Sequence, residues 1–204
     1  MLAPALLGAQ SYTYPSFQLP VLVEREYNFA AADGGRAGTT LLFQWREATT
    51  SLWQLGLDAG LADPDGGGST RFVIGGHAAR QLARATVDFP FDAALTGGVG
   101  FSGVNGHNVV RIPVGASVGH RFSFNDGMSV TPFVHPRLSF DKCNDCKAGG
   151  SDWKLDIAVD VGASVQLTEQ VALRLATMAG GSDFLGSGNG IGFSVAWTPK
   201  GLRK

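Results

Sequence analysis

The feature that most constrains this chain is a period-two alternation sustained over a hairpin of unusual length, His107 to Asp141. On its first arm Val110, Ile112, Val114, Ala116, Val118, His120, Phe122 and Phe124 alternate with Arg111, Pro113, Gly115, Ser117, Gly119, Arg121 and Ser123. Successive side chains of a strand point to opposite faces, so one face of this arm is apolar and the other polar or small. Asn125-Asp126-Gly127 supplies a tight turn from residues that tolerate positive φ. The return arm repeats the split, with Val130, Pro132, Val134, Pro136, Leu138 and Phe140 against Thr131, Phe133, His135, Arg137 and Ser139. A soluble sandwich also alternates, but it rarely sets three arginines on the wet side of strands this long. The expectation is a hairpin of a membrane-spanning β-barrel with its apolar face outward.

The same pattern recurs along the chain and predicts about ten strands. Val21–Ala31, Thr39–Glu47, Leu52–Ala62, Thr70–Leu82 and Ala85–Phe101 precede the hairpin; Trp153–Leu167, Val171–Ala179 and Ile191–Thr198 follow it. The end of the fourth segment, AARQLARA, also admits a short helix. In the first segment Arg25 falls on the apolar face, which points either to a phase slip or to a place at headgroup level. Breaker clusters such as 63–69 and 180–190 mark loops. Connections of six to a dozen residues follow odd strands and shorter ones follow even strands, the arrangement of an outer-membrane barrel with short turns on the periplasmic side. Trp45, Trp53 and Trp197, with Phe122 and Phe124, fall at the short-turn ends; Phe72, Phe140 and Trp153 fall at the opposite ends. Two aromatic girdles are therefore expected.

Composition narrows the alternatives. There is no apolar run of about 18 residues, which excludes a helical membrane span. A net charge of −1 leaves no electrostatic footprint for nucleic acid. Glycine, at 29 of 204 residues, is about twice its usual ~7% share, as suits turns and a crowded barrel interior. The opening MLAPALLGAQ lacks a basic front but reads as the tail of a secretory signal, with Gly8-Ala9-Gln10 near a cleavage point. The competing reading is a disordered or docked N-terminus.

On this pattern, residues 21–199 resemble the small bacterial outer-membrane β-barrel proteins. Trp197 stands where such chains carry a terminal aromatic used in barrel assembly, here followed by the basic tail TPKGLRK. The resemblance implies a lipid bilayer and the barrel-assembly machinery as partners, and a bacterial outer-membrane location. The fold class is all-β: a single closed antiparallel up-and-down transmembrane barrel of about ten strands, with eight and twelve as neighbouring even counts. Residues 1–20 form a signal remnant and lead, 21–199 the barrel, and 200–204 the tail.

The polar face supplies the candidate site. Glu24, Glu26, Asp58, Asp88, Asp92, Asp156 and Asp160 are expected to share a lumen with Arg46, Arg71, Arg111, Arg121, Arg137, Lys154 and Arg174, and with His77 and His135. Enclosed charges of both signs most simply pair, because an unpaired one is costly. A lumen filled by such pairs is preferred to an open, ion-selecting pore. Cys143 and Cys146, in the loop after the seventh strand, are expected to form a local disulfide. One CxxC without a second pair or nearby histidines makes no zinc site, so no metal or cofactor is expected. His135, Ser139 and Asp141 would share a face, but that spacing recurs by chance in any polar-lined strand. The function expected is non-enzymatic: structural, adhesive or of minor permeability. The rivals are a narrow pore, an envelope hydrolase and a soluble barrel holding an apolar ligand.

Overall fold

The computed structural model describes residues 14–34, 38–63, 70–104, 107–124, 127–147, 150–182, 186–187 and 189–200, with side chains at 103–107, 145–152 and 181–188 left aside. Ten strands form the wall: β1 (Arg25–Asp33), β2 (Thr39–Ala48), β3 (Trp53–Asp63), β4 (Arg71–Ala83), β5 (Asp92–Val104), β6 (His107–Gly119), β7 (Ser129–Lys147), β8 (Gly150–Gln166), β9 (Val171–Ser182) and β10 (Gly190–Trp197). Each pairs antiparallel with the next, and β10 pairs back onto β1 from Tyr27↔Trp197 to Asp33↔Ile191. The sheet is therefore closed and has no edge to protect. Among the described residues there is no helix, and AARQLARA continues β4 through Ala83.

Burial is inverted relative to a soluble protein. Leu41, Phe29, Leu57, Ile157, Leu155 and Leu175 lie outward and exposed, while Glu26, Arg46, Asp58, Arg111, Asp160 and Arg174 are buried. Strand β10 shows the period cleanly, strictly alternating buried and exposed. An apolar outer belt around a charged interior suits a bilayer and opposes the soluble-barrel reading, which needs the reverse. Trp53, Trp153 and Trp197 are exposed on the outer wall and Trp45 is half-buried there. Tyr27 pairs across to both Trp45 and Trp197, and its ring stacks on Trp197 with centroids 5.5 Å apart. That sets one aromatic level over three adjacent strands, at the rim where β1 begins and β10 ends. Phe72, Phe140 and Trp153 lie toward the opposite rim.

Three expectations change. The fifth strand begins at Asp92, not Ala85, because Thr86 closes a turn on Phe89: its N–H donates to Phe89 O at 2.8 Å and its hydroxyl accepts from Phe89 N at 3.1 Å. Residues 142–147 and 150–152, expected as part of a loop, are strand. Asp141 and Cys143 keep to the inner face up the strand, and β7 and β8 continue to Lys147 and from Gly150. Pairing of Lys142 with Trp153 fixes the girdle level, so the described part of this hairpin projects about 17 Å along the strand beyond it. Finally, connection length does not alternate as expected. The terminal rim carries the eight-residue connection 84–91. After a break at 120–121 the β6 arm resumes at Phe122–Ser123, which pairs with Val130 and Ser129 ahead of the expected turn. At the far rim β5 to β6 and β7 to β8 are joined by only two residues each.

The lead does not stay outside. Residues 14–23 run through the lumen toward the terminal rim without joining the sheet, so that the first strand begins at Arg25 and not at Val21. Tyr14, Phe17, Gln18 and Leu22 are buried there. Tyr14 and Phe17 sit in a cluster with Ala30, Ala32, Leu42, Ala62, Val73, Phe133 and Ala176. Glycines facing inward make the room. A Cβ at Gly192 would lie 2.8 Å from Phe17 Cζ, and one at Gly119 would lie 3.1 Å from Pro20 Cγ. Phe17 itself adopts φ 52°, a conformation that is a genuine outlier for a bulky residue.

Candidate functional site

The lumen is the candidate site, and its chemistry follows from the segment it encloses. A backbone buried away from a sheet must find other hydrogen-bond partners. Pro15 and Pro20 contribute carbonyls but no N–H, so the segment has a surplus of acceptors. The wall answers with donors. Arg46 donates to Ser16 O at 2.8 Å and Phe17 O at 3.1 Å. Gln81 donates to Pro20 O at 2.7 Å, Gln54 to Val23 O at 2.8 Å, and Ser117 to Gln18 O at 2.7 Å. A register shift in β4 between Gln81 and Ala83 accompanies the inward aim of Gln81, whose Oε1 also accepts from Leu22 N at 3.0 Å. The inward arginines and amides thus do more than neutralise acids: they solvate a peptide.

The charged residues form three groups. Nearest the terminal rim, Glu26 accepts from Arg46 at 3.2 Å and from Arg174 Nη1 at 2.7 Å, with a second short contact to Arg174 Nη2. Arg46 and Arg174 come from β2 and β9, on either side of the β1–β10 seam. In the middle, Asp160 accepts from Arg137 at 2.7 Å and from Ser16 N at 3.2 Å. His135 places Nδ1 2.6 Å from Ser16 Oγ and Nε2 2.8 Å from Thr96 Oγ1. Toward the far rim, Arg111 donates to Ser139 Oγ at 2.9 and 2.7 Å and lies 3.1 Å from Asp141. Beside these, Asn28, Gln44 and Asp58 form a chain at 2.7 and 3.1 Å, and Asp58 lies 3.7 Å from His77. A cavity of about 40 Å³ separates the segment from β3–β6 here, lined by Asp58, His77, Thr96, Gly97, Gly98 and His135 among others. It is large enough for water.

Several expected members lie elsewhere. Glu24 is exposed just before β1. Asp88 is exposed in the 84–91 turn, because β5 starts later than expected. Arg121 follows the end of β6, is exposed, and bonds Ser129 Oγ at 3.0 Å, so it does not act with Arg111. Asp92 is buried but accepts from Ala85 N at 3.0 Å, tying down that turn. Arg71 and Asp156 are buried on the inner wall, and Lys154, half-buried, pairs in register with Asp141. Arg25 resolves the phase question: it forms an ion pair with Glu47, its register partner at the terminal rim. Cys143 is buried and inward; the expected Cys143–Cys146 disulfide rests on Cys146, whose side chain lies outside the described ones. Residues 1–13, with the expected cleavage point, also lie outside the described residues.

Among the described residues, His135, Ser139 and Asp141 do not come together as a triad. Ser139 and Asp141 are both engaged by Arg111, and His135 by Ser16 and Thr96. Ser16, His135 and Asp160 are a serine, a histidine and an aspartate in one place. Yet Ser16 and Asp160 both approach Nδ1, where a triad needs them on opposite ring nitrogens. The residues missed from sequence are the segment's wall partners Gln44, Gln54, Gln81 and Ser117, and Thr96, which bonds His135. Their signal was their inward phase, set against a lead carrying two prolines.

No family model matches the chain, and no curated protein matches it in sequence. In structure it is similar to LpxR from Salmonella typhimurium, at 15% identity and a TM-score of 0.48, covering 94% of this chain and 80% of that one. It is also similar to the KdgM porin, at 7% identity and a TM-score of 0.43, covering 85% of this chain and 99% of that one. A third is Ail, the attachment invasion locus protein of Yersinia pestis, at 12% identity and a TM-score of 0.31, covering 85% and 97%.

Proposed function

We propose that this chain is a non-enzymatic outer-membrane barrel, sealed in its resting state, that acts through what it presents beyond the bilayer. The observation that supports this reading is the occupied lumen: residues 14–23 fill it and the wall satisfies their backbone. The presented element is the β7–β8 hairpin, the part of the wall that extends furthest past the girdle. A Cys143–Cys146 bridge would stiffen the hairpin near its tip, as disulfides do in oxidising compartments. Its assignment is checked by labelling with a thiol reagent before and after reduction; labelling without reductant would remove it. Trp197, last in β10 and stacked on Tyr27, is the residue proposed to engage the barrel-assembly machinery. Trp197→Ala is expected to lower the assembled fraction in cells, with removal of the last four residues as the silent comparison.

The sealed state is tested by liposome swelling. Purified protein reconstituted in liposomes should admit a small neutral sugar no faster than protein-free liposomes. Swelling above that level would overturn the reading and favour the narrow pore.

A further inference from the structure

We propose that the wall is built as a pore for small ions and that its seal resides in the single segment 14–23, so that displacing this segment gives a conducting barrel. The inference rests on the sealed resting state proposed above and says where the seal is.

At the level of Tyr14 and Phe17 five inward wall residues are small, Ala30, Ala32, Ala62, Ala176 and Gly192, beside the larger Leu42, Val73 and Phe133 of the same cluster. A ten-stranded wall is also wider than the eight-stranded kind whose own side chains just fill it. Here the bulk is supplied by Tyr14 and Phe17, and Gly192 is hollowed to the point where a methyl group would strike the Phe17 ring at 2.8 Å. The seal and its socket match each other.

The wall also holds together without the segment. Strand pairing closes through β1 and β10 with no contribution from Tyr14 to Val23; the carbonyl of Glu24, just before β1, accepts from Ala48 N at 2.7 Å. The buried ion pairs run wall to wall: Glu26 of β1 to Arg46 of β2 and Arg174 of β9, Arg137 of β7 to Asp160 of β8, and Arg111 of β6 to Asp141 of β7. The segment from Tyr14 to Val23 carries no charge, so its departure leaves no ion unpaired. Its polar groups are neutral backbone carbonyls and N–H groups and the Ser16 hydroxyl, set against wall donors and against the acceptors Asp160 and Gln81, and water can take their place on the wall. Beside Ser16 and Gln18 a cavity of about 40 Å³ already lies between the segment and part of β3–β6, while Gln54, Gln81 and Ser117 of the same strands bond the segment directly. What would remain is a continuous lining of Arg46, Arg174, Arg137, Gln44, Gln54 and Ser117, a surface suited to hydrated ions.

The test is planar-bilayer recording in potassium chloride on three purified full-length proteins: wild type, the double variant Tyr14→Ala/Phe17→Ala, and that double variant with Gly192→Phe added. Heat-modifiable gel migration is run on each to establish a folded barrel. Wild type is expected to be silent, the double variant to open in discrete steps at least tenfold more often, and the triple variant to return to silence because the wall now supplies the bulk. A silent, folded double variant overturns the inference and leaves the sealed reading standing. A conducting wild type overturns the sealed reading itself. A double variant that fails to fold overturns the claim that the wall stands without the segment, and a triple variant that conducts like the double one overturns the socket assignment.

Discussion

At the residue scale, Glu26 is the position where charge and architecture meet. Its carboxylate lies between the guanidiniums of Arg46 and Arg174, all three buried. Glu26→Gln leaves two buried cations facing each other, and breaking a buried pair in this way costs about 3–5 kcal/mol. Urea unfolding from lipid vesicles should show that loss, while Glu24→Gln, two residues earlier and exposed, should leave the midpoint unchanged. An equal loss at Glu24 would mean that the strand starts before Arg25 and carries Glu24 into the lumen beside Glu26. Alternation alone placed Glu26, Arg46, Arg111, Arg137 and Arg174 inward, since the period of two is fixed by the backbone. It misplaced Glu24, Asp88 and Arg121 because phase says nothing about where a strand stops. Glycine was legible only as an excess; its use at Gly162, where a Cβ would meet Ala176 Cβ at 2.7 Å and Phe133 Cζ at 2.9 Å, needs the facing strands.

At the scale of the element, two features depart from what local sequence signals allow one to read. Cys143-Asn144-Asp145-Cys146 is polar and turn-like, yet no glycine or proline interrupts the ladder until Gly149, so β7 runs 19 residues and β8 17. A membrane-spanning strand needs about 9–11 residues, and the surplus is the projecting hairpin. An epitope tag inserted after Lys147 is expected to bind antibody on intact cells. Binding only after the envelope is permeabilised would place this rim on the periplasmic side instead. The other feature is the segment 14–23. The prolines marked residues up to Pro20 as lead, which is right, but Val21 to Glu24 were read as the start of the first strand, which begins at Arg25, and only the closed barrel shows that the lead is lumenal. Nothing in a one-dimensional pattern distinguishes a peptide that leaves the barrel from one that turns back into it.

At the scale of the whole molecule, the account is an inside-out protein: an apolar exterior from Leu41 to Leu175, and an interior of ion pairs arranged around an uncharged peptide. That sidedness was readable because ten segments repeat it and the Trp residues fall in two bands; the closure from Tyr27 to Trp197 then follows from an even strand count. What fills the interior was not readable, because it depends on contacts between residues more than a hundred positions apart, such as Arg137 and Tyr14 or Arg174 and Glu26. Heat-modifiable electrophoresis tests the central claim most directly. Protein from membranes should require detergent for extraction, and the unboiled sample should migrate at a different apparent mass from the boiled one, because the closed ladder resists unfolding by detergent at room temperature. Release without detergent, with boiled and unboiled samples migrating together, would contradict a closed transmembrane barrel.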